Sequence, residues 1–171
     1  MTRSVVALFL SVLWIGCDTV DRQRAFEEDA DLPPTGITQT DAGGRVVENS
    51  EGNAVQLDED DWRVSPAYVG ILRFNPAYPN PSGFGLITVE VVIQQFDGVP
   101  GGIVLRGFNT AGRLVELDRN VDASQPGTYA LFFNPSQLSA SGDISSVRGL
   151  NRIFLFDGQS TLLTYGDILV Q

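Results

Sequence analysis

The side chains able to do chemistry in this sequence are almost all carboxylates. It holds 21 acidic residues against 11 basic ones, every basic one an arginine, with no histidine and no lysine. Without an imidazole or a primary amine on a side chain, Ser-His-Asp, Cys-His, Ser-Lys and Schiff-base chemistries are excluded. Cys17 is the one cysteine, so neither an internal disulfide nor a Cys/His zinc cluster can form. Paired acids remain, as in glycosidases, where the separation of two carboxyls sets the outcome. Glu90, Glu116 and Asp118 are the candidates, but each falls at the polar position of a strand pattern, where a solvated charge is the ordinary state. No catalytic residue is assigned. Asp58-Glu59-Asp60-Asp61 is the one acid run that invites a cation. Calcium loops alternate their acids and include a turning glycine, and this run does neither, so no metal ligand and no cofactor is expected. Gly83-Phe84-Gly85 and Gly101-Gly102 precede no helical pattern, which argues against a phosphate loop. Trp62, Tyr68, Tyr129 and Tyr165 could form a stacking platform for a glycan if exposed; the alternative is that they are core or rim residues.

The charge is unevenly distributed. From Cys17 to Asp61 the net charge is −10, with Arg22, Arg24 and Arg45 the only cations, whereas from Trp62 to the end it is −1. A chain with this balance is a poor partner for nucleic acid, whose phosphates need clustered cations.

Three segments must position whatever the chain does. Met1-Thr2-Arg3-Ser4 is a short basic start, and Val5 to Gly16 is apolar apart from Ser11, ending at Cys17. This is the layout of an export signal, with an apolar stretch shorter than the ~20 residues that span a bilayer. Leu13-Trp14-Ile15-Gly16-Cys17 resembles the lipobox of bacterial lipoproteins. That resemblance implies cleavage before Cys17, a diacylglyceryl group on its sulfur and an acyl group on its new amine. Several acyl chains, at ~0.8 kcal/mol per buried methylene, would anchor the protein stably. Residues 1–16 are thus expected to be a signal peptide.

Residues 17–61 show little apolar periodicity. Glu27-Glu28-Asp29-Ala30-Asp31 and the run at 58–61 are charge clusters, and Pro33-Pro34-Thr35-Gly36 is a breaker. Low hydrophobicity with high net charge predicts a disordered, self-repelling acidic tether, although Val46-Val47 and Val55-Gln56-Leu57 could contribute a strand. No segment of the chain predicts an amphipathic helix, although Pro135 to Ser141 could form one short turn.

From Trp62 to Gln171 the pattern is β. Runs at Tyr68–Phe74, Leu86–Gln94, Ile103–Asn109, Arg113–Asp118, Tyr129–Asn134, Arg152–Asp157 and Leu162–Val170 are separated by Gly, Pro and Asn signals. Ile87, Val89, Val91 and Ile93 share one face of the second run, and Tyr129, Leu131 and Phe133 share one face of the fifth. Seven short strands in this length predict an all-β fold, a seven-stranded immunoglobulin-like antiparallel β-sandwich over 62–171.

Asn75-Pro76-Ala77-Tyr78-Pro79-Asn80-Pro81-Ser82-Gly83 resembles the opening of the C-terminal sorting domains of type IX secretion, which start on a Tyr-Pro-Asn-Pro core. Phe108 to Val115, Pro126 to Phe133, Leu138-Ser139-Ala140-Ser141-Gly142 and Asp167 to Gln171 are similar to later stretches of that family. The resemblance covers Asn75 to the C-terminus and implies an immunoglobulin-like sandwich with a role in export. The residues alone offer a structural alternative: two prolines without N–H groups end strand pairing and stiffen the edge, with Tyr78 packed under the rim.

The expected protein is a non-enzymatic lipoprotein of the bacterial cell envelope, held by lipid on Cys17 at the outer membrane or cell surface in preference to the inner membrane. Its expected role is a structural or protein-interaction module whose partner is another envelope protein. A glycan-binding surface module and a sorting-type domain on a short secreted protein are the alternatives. Tyr78, Asn80, Trp62 and Tyr165 are the candidate interaction residues.

Overall fold

A computed structural model describes residues 19–171 except Phe84 and Asp97. Seven strands run in chain order: β1 (Leu72–Tyr78), β2 (Ile87–Ile93), β3 (Ile103–Phe108), β4 (Leu114–Asn120), β5 (Gly127–Phe133), β6 (Gly149–Asp157) and β7 (Leu162–Val170). They pair antiparallel into two sheets, ordered β1-β2-β5 and β4-β3-β6-β7. This is the seven-stranded all-β sandwich that the sequence pattern predicts, with the first strand displaced.

Alternation explains the layering. Ile87, Val89, Val91 and Ile93 of β2 are all at most 1% exposed and face Ile103, Leu105, Ile153 and Leu155 from the other sheet in one core. The β3–β4 hairpin turns at Thr110-Ala111-Gly112, where Gly112 takes φ +71° and the Asn109 carboxamide oxygen accepts from the Ala111 and Arg113 N–H groups. β1 starts four residues later than the expected run. Pro66–Tyr68 forms a single 3-10 turn, and Gly70, at φ +80°, reverses the chain before Leu72. The stretch between β5 and β6 forms two further 3-10 turns, Pro135–Leu138 and Ile144–Val147, capped by the side chains of Asn134 and Asp143.

Residues 19–61 depart from the expected tether. A helix, α1, runs over 19–30, and the chain after it lies against the sandwich with Ile37, Thr38 and Thr40 buried. Bridges join Thr40 to Val46 and to Asn80, and Glu48 to Ala54. The expected solvation holds for side chains such as Asp21, Glu28, Glu59 and Asp60, which are exposed. The backbone, however, is docked. The apolar stripe of α1 is only Phe26 and Ala30, too thin to register as a periodic pattern. It is sufficient because the sandwich supplies the opposing surface, Phe154, Leu162 and Tyr165, in a second small core. Helix formers at 22–25, 27 and 28 (Arg, Gln, Ala and Glu) do the rest. The docked segment also explains why β7 is buried on both faces at eight of its nine positions. α1 covers its outer face, while Trp62 and Ser65 donate backbone hydrogen bonds to Tyr165 and Leu163 along its free edge.

Candidate functional site

The polar centre that docks the N-terminal segment is built from cross-strand neighbours. Arg152 on β6 pairs with Asp167 on β7, and the guanidinium grips the carboxylate with Nε–Oδ1 at 2.7 Å and Nη2–Oδ2 at 2.8 Å. Asp167 is 1% exposed, so this fork is what makes its burial tolerable. The remaining nitrogen, Nη1, donates to the carbonyls of Asp29, Ala30 and Leu32 at 3.2, 3.2 and 2.6 Å. Those carbonyls lie at and just beyond the C-terminal end of α1, where a cation is favoured. The same guanidinium lies 4.8 Å from the Tyr165 ring centre.

Asp61 joins the cluster from the docked chain. Its two oxygens accept from the N–H groups of Thr38 and Asp167, at 2.8 and 2.7 Å. Burial pushes its carboxyl up to about 7; the two amide donors pull it down, and the charges of Asp167 and Asp58 push it up again. Asp58, Asp61 and Asp167 bring carboxylate oxygens within 4.8 Å of one another. The oxygens of Asp61 and Asp167 are already engaged by amides and by Arg152, so the arrangement acts as a latch holding residues 29–61 to β6 and β7.

Of the four candidate interaction residues, three are enclosed, which corrects the expectation that they meet a partner. Trp62 is 5% exposed, and its indole lies over Gly166, where an added Cβ would come within 2.2 Å of the ring. Tyr165 is 2% exposed beneath α1; its ring is 5.2 Å from that of Phe26, and its hydroxyl accepts from Arg63 at 2.7 Å. Asn80 is fully buried. Its amide nitrogen donates to the carbonyls of Thr38 and Asp167, and its oxygen accepts from the Leu169 N–H. Only Tyr78 is partly open, and its hydroxyl donates to Glu90 at 2.7 Å. Trp62, Asn80 and Tyr165 thus converge on β7, which supports a structural role for the Tyr-Pro-Asn-Pro stretch. Among the other aromatics, Tyr68 is buried with its hydroxyl on Asp157, and half-buried Tyr129 bonds the Gln125 carbonyl. Cys17 lies outside the described residues.

The acids considered for catalysis are split between the two sheets, and each is held by other groups. Glu90 is on β2 of one sheet, held by Asn75 and Tyr78. Glu116 and Asp118 are on β4 of the other, bound respectively by the Arg119 guanidinium and by the Phe132 and Arg119 N–H groups.

An accessible feature of this face is a groove of about 250 Å³ beside α1, with an apolar floor of Phe108, Leu114, Phe154, Phe156 and Leu162 and a polar rim of Glu27, Asp31 and Ser160. Phe108 is 50% exposed and packs edge-on against Phe154, which stacks on Phe156. Arg106 sits 5.1 Å from the Phe156 ring centre. No residue of this row was singled out by sequence, yet a signal was present. Ile153-Phe154-Leu155-Phe156 is apolar at every position, and a strand apolar on both faces requires a layer on both.

Among the described residues no helix is long and apolar enough to cross a membrane. No family model matches this chain, and no curated protein matches it.

Proposed function

We propose that this chain is an envelope-anchored, non-enzymatic lipoprotein, acylated at Cys17, whose sandwich acts as a structural or protein-interaction module through the groove beside α1. The observation that carries the interaction part is the groove itself: Phe108 and Leu114, half-exposed at one corner of the four-stranded sheet, continue the row of buried Phe154 and partly buried Phe156 with no layer over them among the described residues. Apolar surface of this kind is stabilised by a partner's side chains. The lipid part rests on the lipobox-like Leu13 to Cys17 and on the position of Cys17, two residues before the first described turn of α1.

Two experiments test the two halves. Labelling cells with an alkyne analogue of palmitate tests the anchor: the label should appear on the wild-type protein and vanish in Cys17→Ala. A photo-crosslinking amino acid at position 108 tests the groove against the same probe at Phe132, which is exposed on the other sheet. A discrete crosslinked protein from position 108 alone supports the reading, and equal yields from both positions refute it.

A glycan-binding role has one observation in its favour, the same row of phenylalanines. Stacking on sugar faces would make soluble glycan fragments suppress the crosslink at position 108, which a protein partner alone would not predict.

A further inference from the structure

We propose that one end of the sandwich, the end carrying Val69, Phe96 and Val121, rests against the surface of the lipid bilayer. The inference builds on the lipoprotein reading above and adds an orientation to it. Four connections meet at this end. The Gln95 side chain bonds the Gly70 carbonyl, Gly98 packs on Ile71, Gly102 packs on Val121, and the Gly158 N–H donates to Pro100. From these loops project the three most exposed large apolar side chains among the described residues: Phe96 at 73%, Val69 at 71% and Val121 at 61%. Three such side chains at one end and on separate loops have no fold-stabilising role, because each points away from the core. Together they form an apolar rim of the kind that lies in a lipid interface.

The course of the chain supplies the occupant. α1 enters the domain at this same end. Gln23 bonds the carbonyl of Leu162, the first residue of β7, and the N–H of Ala67, beside Tyr68 and Val69. The helix then runs along β7 toward Arg152. Thr19 therefore stands about one helical turn, ~6 Å, beyond Gln23 on the outer side, next to Val20, which is 59% exposed. Cys17 precedes Thr19 by two residues in the chain, which a backbone can span in at most ~7 Å. An acyl group there would meet the bilayer on the side where Phe96, Val69 and Val121 project. The docked α1 leaves no stalk between lipid and sandwich, so the rim is brought to the headgroup region.

The test uses the full acylated protein in phosphatidylcholine vesicles whose acyl chains carry bromine, a short-range quencher of tryptophan. Phe96→Trp should lose much of its added emission in brominated vesicles, relative to unbrominated ones. Ser141→Trp, in the exposed turn at the opposite end, should lose none. Val121→Trp repeats the measurement from a second loop should Phe96→Trp misfold. Protein that floats with the vesicles while neither end is quenched, or while only Ser141→Trp is, overturns the orientation and leaves the anchor intact. Phe96→Trp emission that changes with protein concentration and not with bromine overturns it in favour of a second copy. Protein that neither floats nor carries acyl mass overturns the lipoprotein reading and the orientation with it.

Discussion

Arg152→Ala is the sharpest test of the latch. The substitution leaves Asp167, 1% exposed, without the guanidinium that grips both its oxygens at 2.7 and 2.8 Å. Removing one partner of a buried ion pair costs ~3–5 kcal/mol, because the remaining charge is still buried. Arg152 binds both carboxylate oxygens of Asp167, so the loss should fall within that range. The three carbonyls at the end of α1 lose their shared donor as well, but water can reach Asp29 and Leu32, which are exposed, so that part is small. At roughly 2–4 °C per kcal/mol for a chain of this size, the melting temperature should fall by on the order of 6–20 °C. Denaturant unfolding gives the free energy directly, and hydrogen exchange locates it: amides of 19–32 should lose protection before those of β2 and β3. The double variant Arg152→Met with Asp167→Asn removes both charges and should recover ~2 kcal/mol or more of the single loss. A single-variant loss below ~1 kcal/mol, with no coupling in the cycle, refutes the view that this pair holds the segment down.

Three further outcomes follow from neighbouring contacts. The Asp61 carboxyl has an ordinary value of 3.8 and is raised to about 7 in the fold. The folded state therefore binds the extra proton across that window, and stability should fall as pH rises through it. Asp61→Asn should flatten this dependence of the denaturant midpoint between those pH values, and equal slopes in the two proteins would count against it. Gly166→Ala puts a Cβ into the Trp62 indole, a rigid ring that must move to make space, and should cost ~1–3 kcal/mol while shifting tryptophan emission to the red as the ring is expelled. An unchanged spectrum would mean that Trp62 does not need the slot. Asn80→Ala strands the Leu169 N–H and the carbonyls of Thr38 and Asp167; a loss on the order of 2–3 kcal/mol is expected, and a neutral result would remove the structural role given to this residue.

The β-sandwich was legible because β2 alternates in burial along its whole length, and because Asn109 and Gly112 mark a turn whose chemistry is local. The docked segment was not legible for a physical reason. Its stability comes from residues more than a hundred positions away: Phe26 finds Tyr165, Leu32 finds Arg152, and Asp61 finds the Asp167 amide. Composition measures what a segment could bury on its own, and by that measure 17–61 belongs in water. It carries no information about a face that another part of the chain has already built.

The clue lay instead in β6 and β7. A sheet with solvent on one side alternates apolar and polar residues, as β2 does, whereas Ile153 to Phe156 and Leu162-Leu163 do not. An apolar outer face on an antiparallel sheet of a sandwich has to be covered. α1 meets that requirement over Phe154, Leu162 and Tyr165, and it stops at Ala30, short of Phe108 and Leu114. The unmet part of the requirement is the groove. The proposed partner would supply the missing cover at Phe108 and Leu114. If substituting Phe108→Ser and Leu114→Ser changed nothing but solubility, that corner would be an ordinary exposed edge and the interaction reading would lose its support.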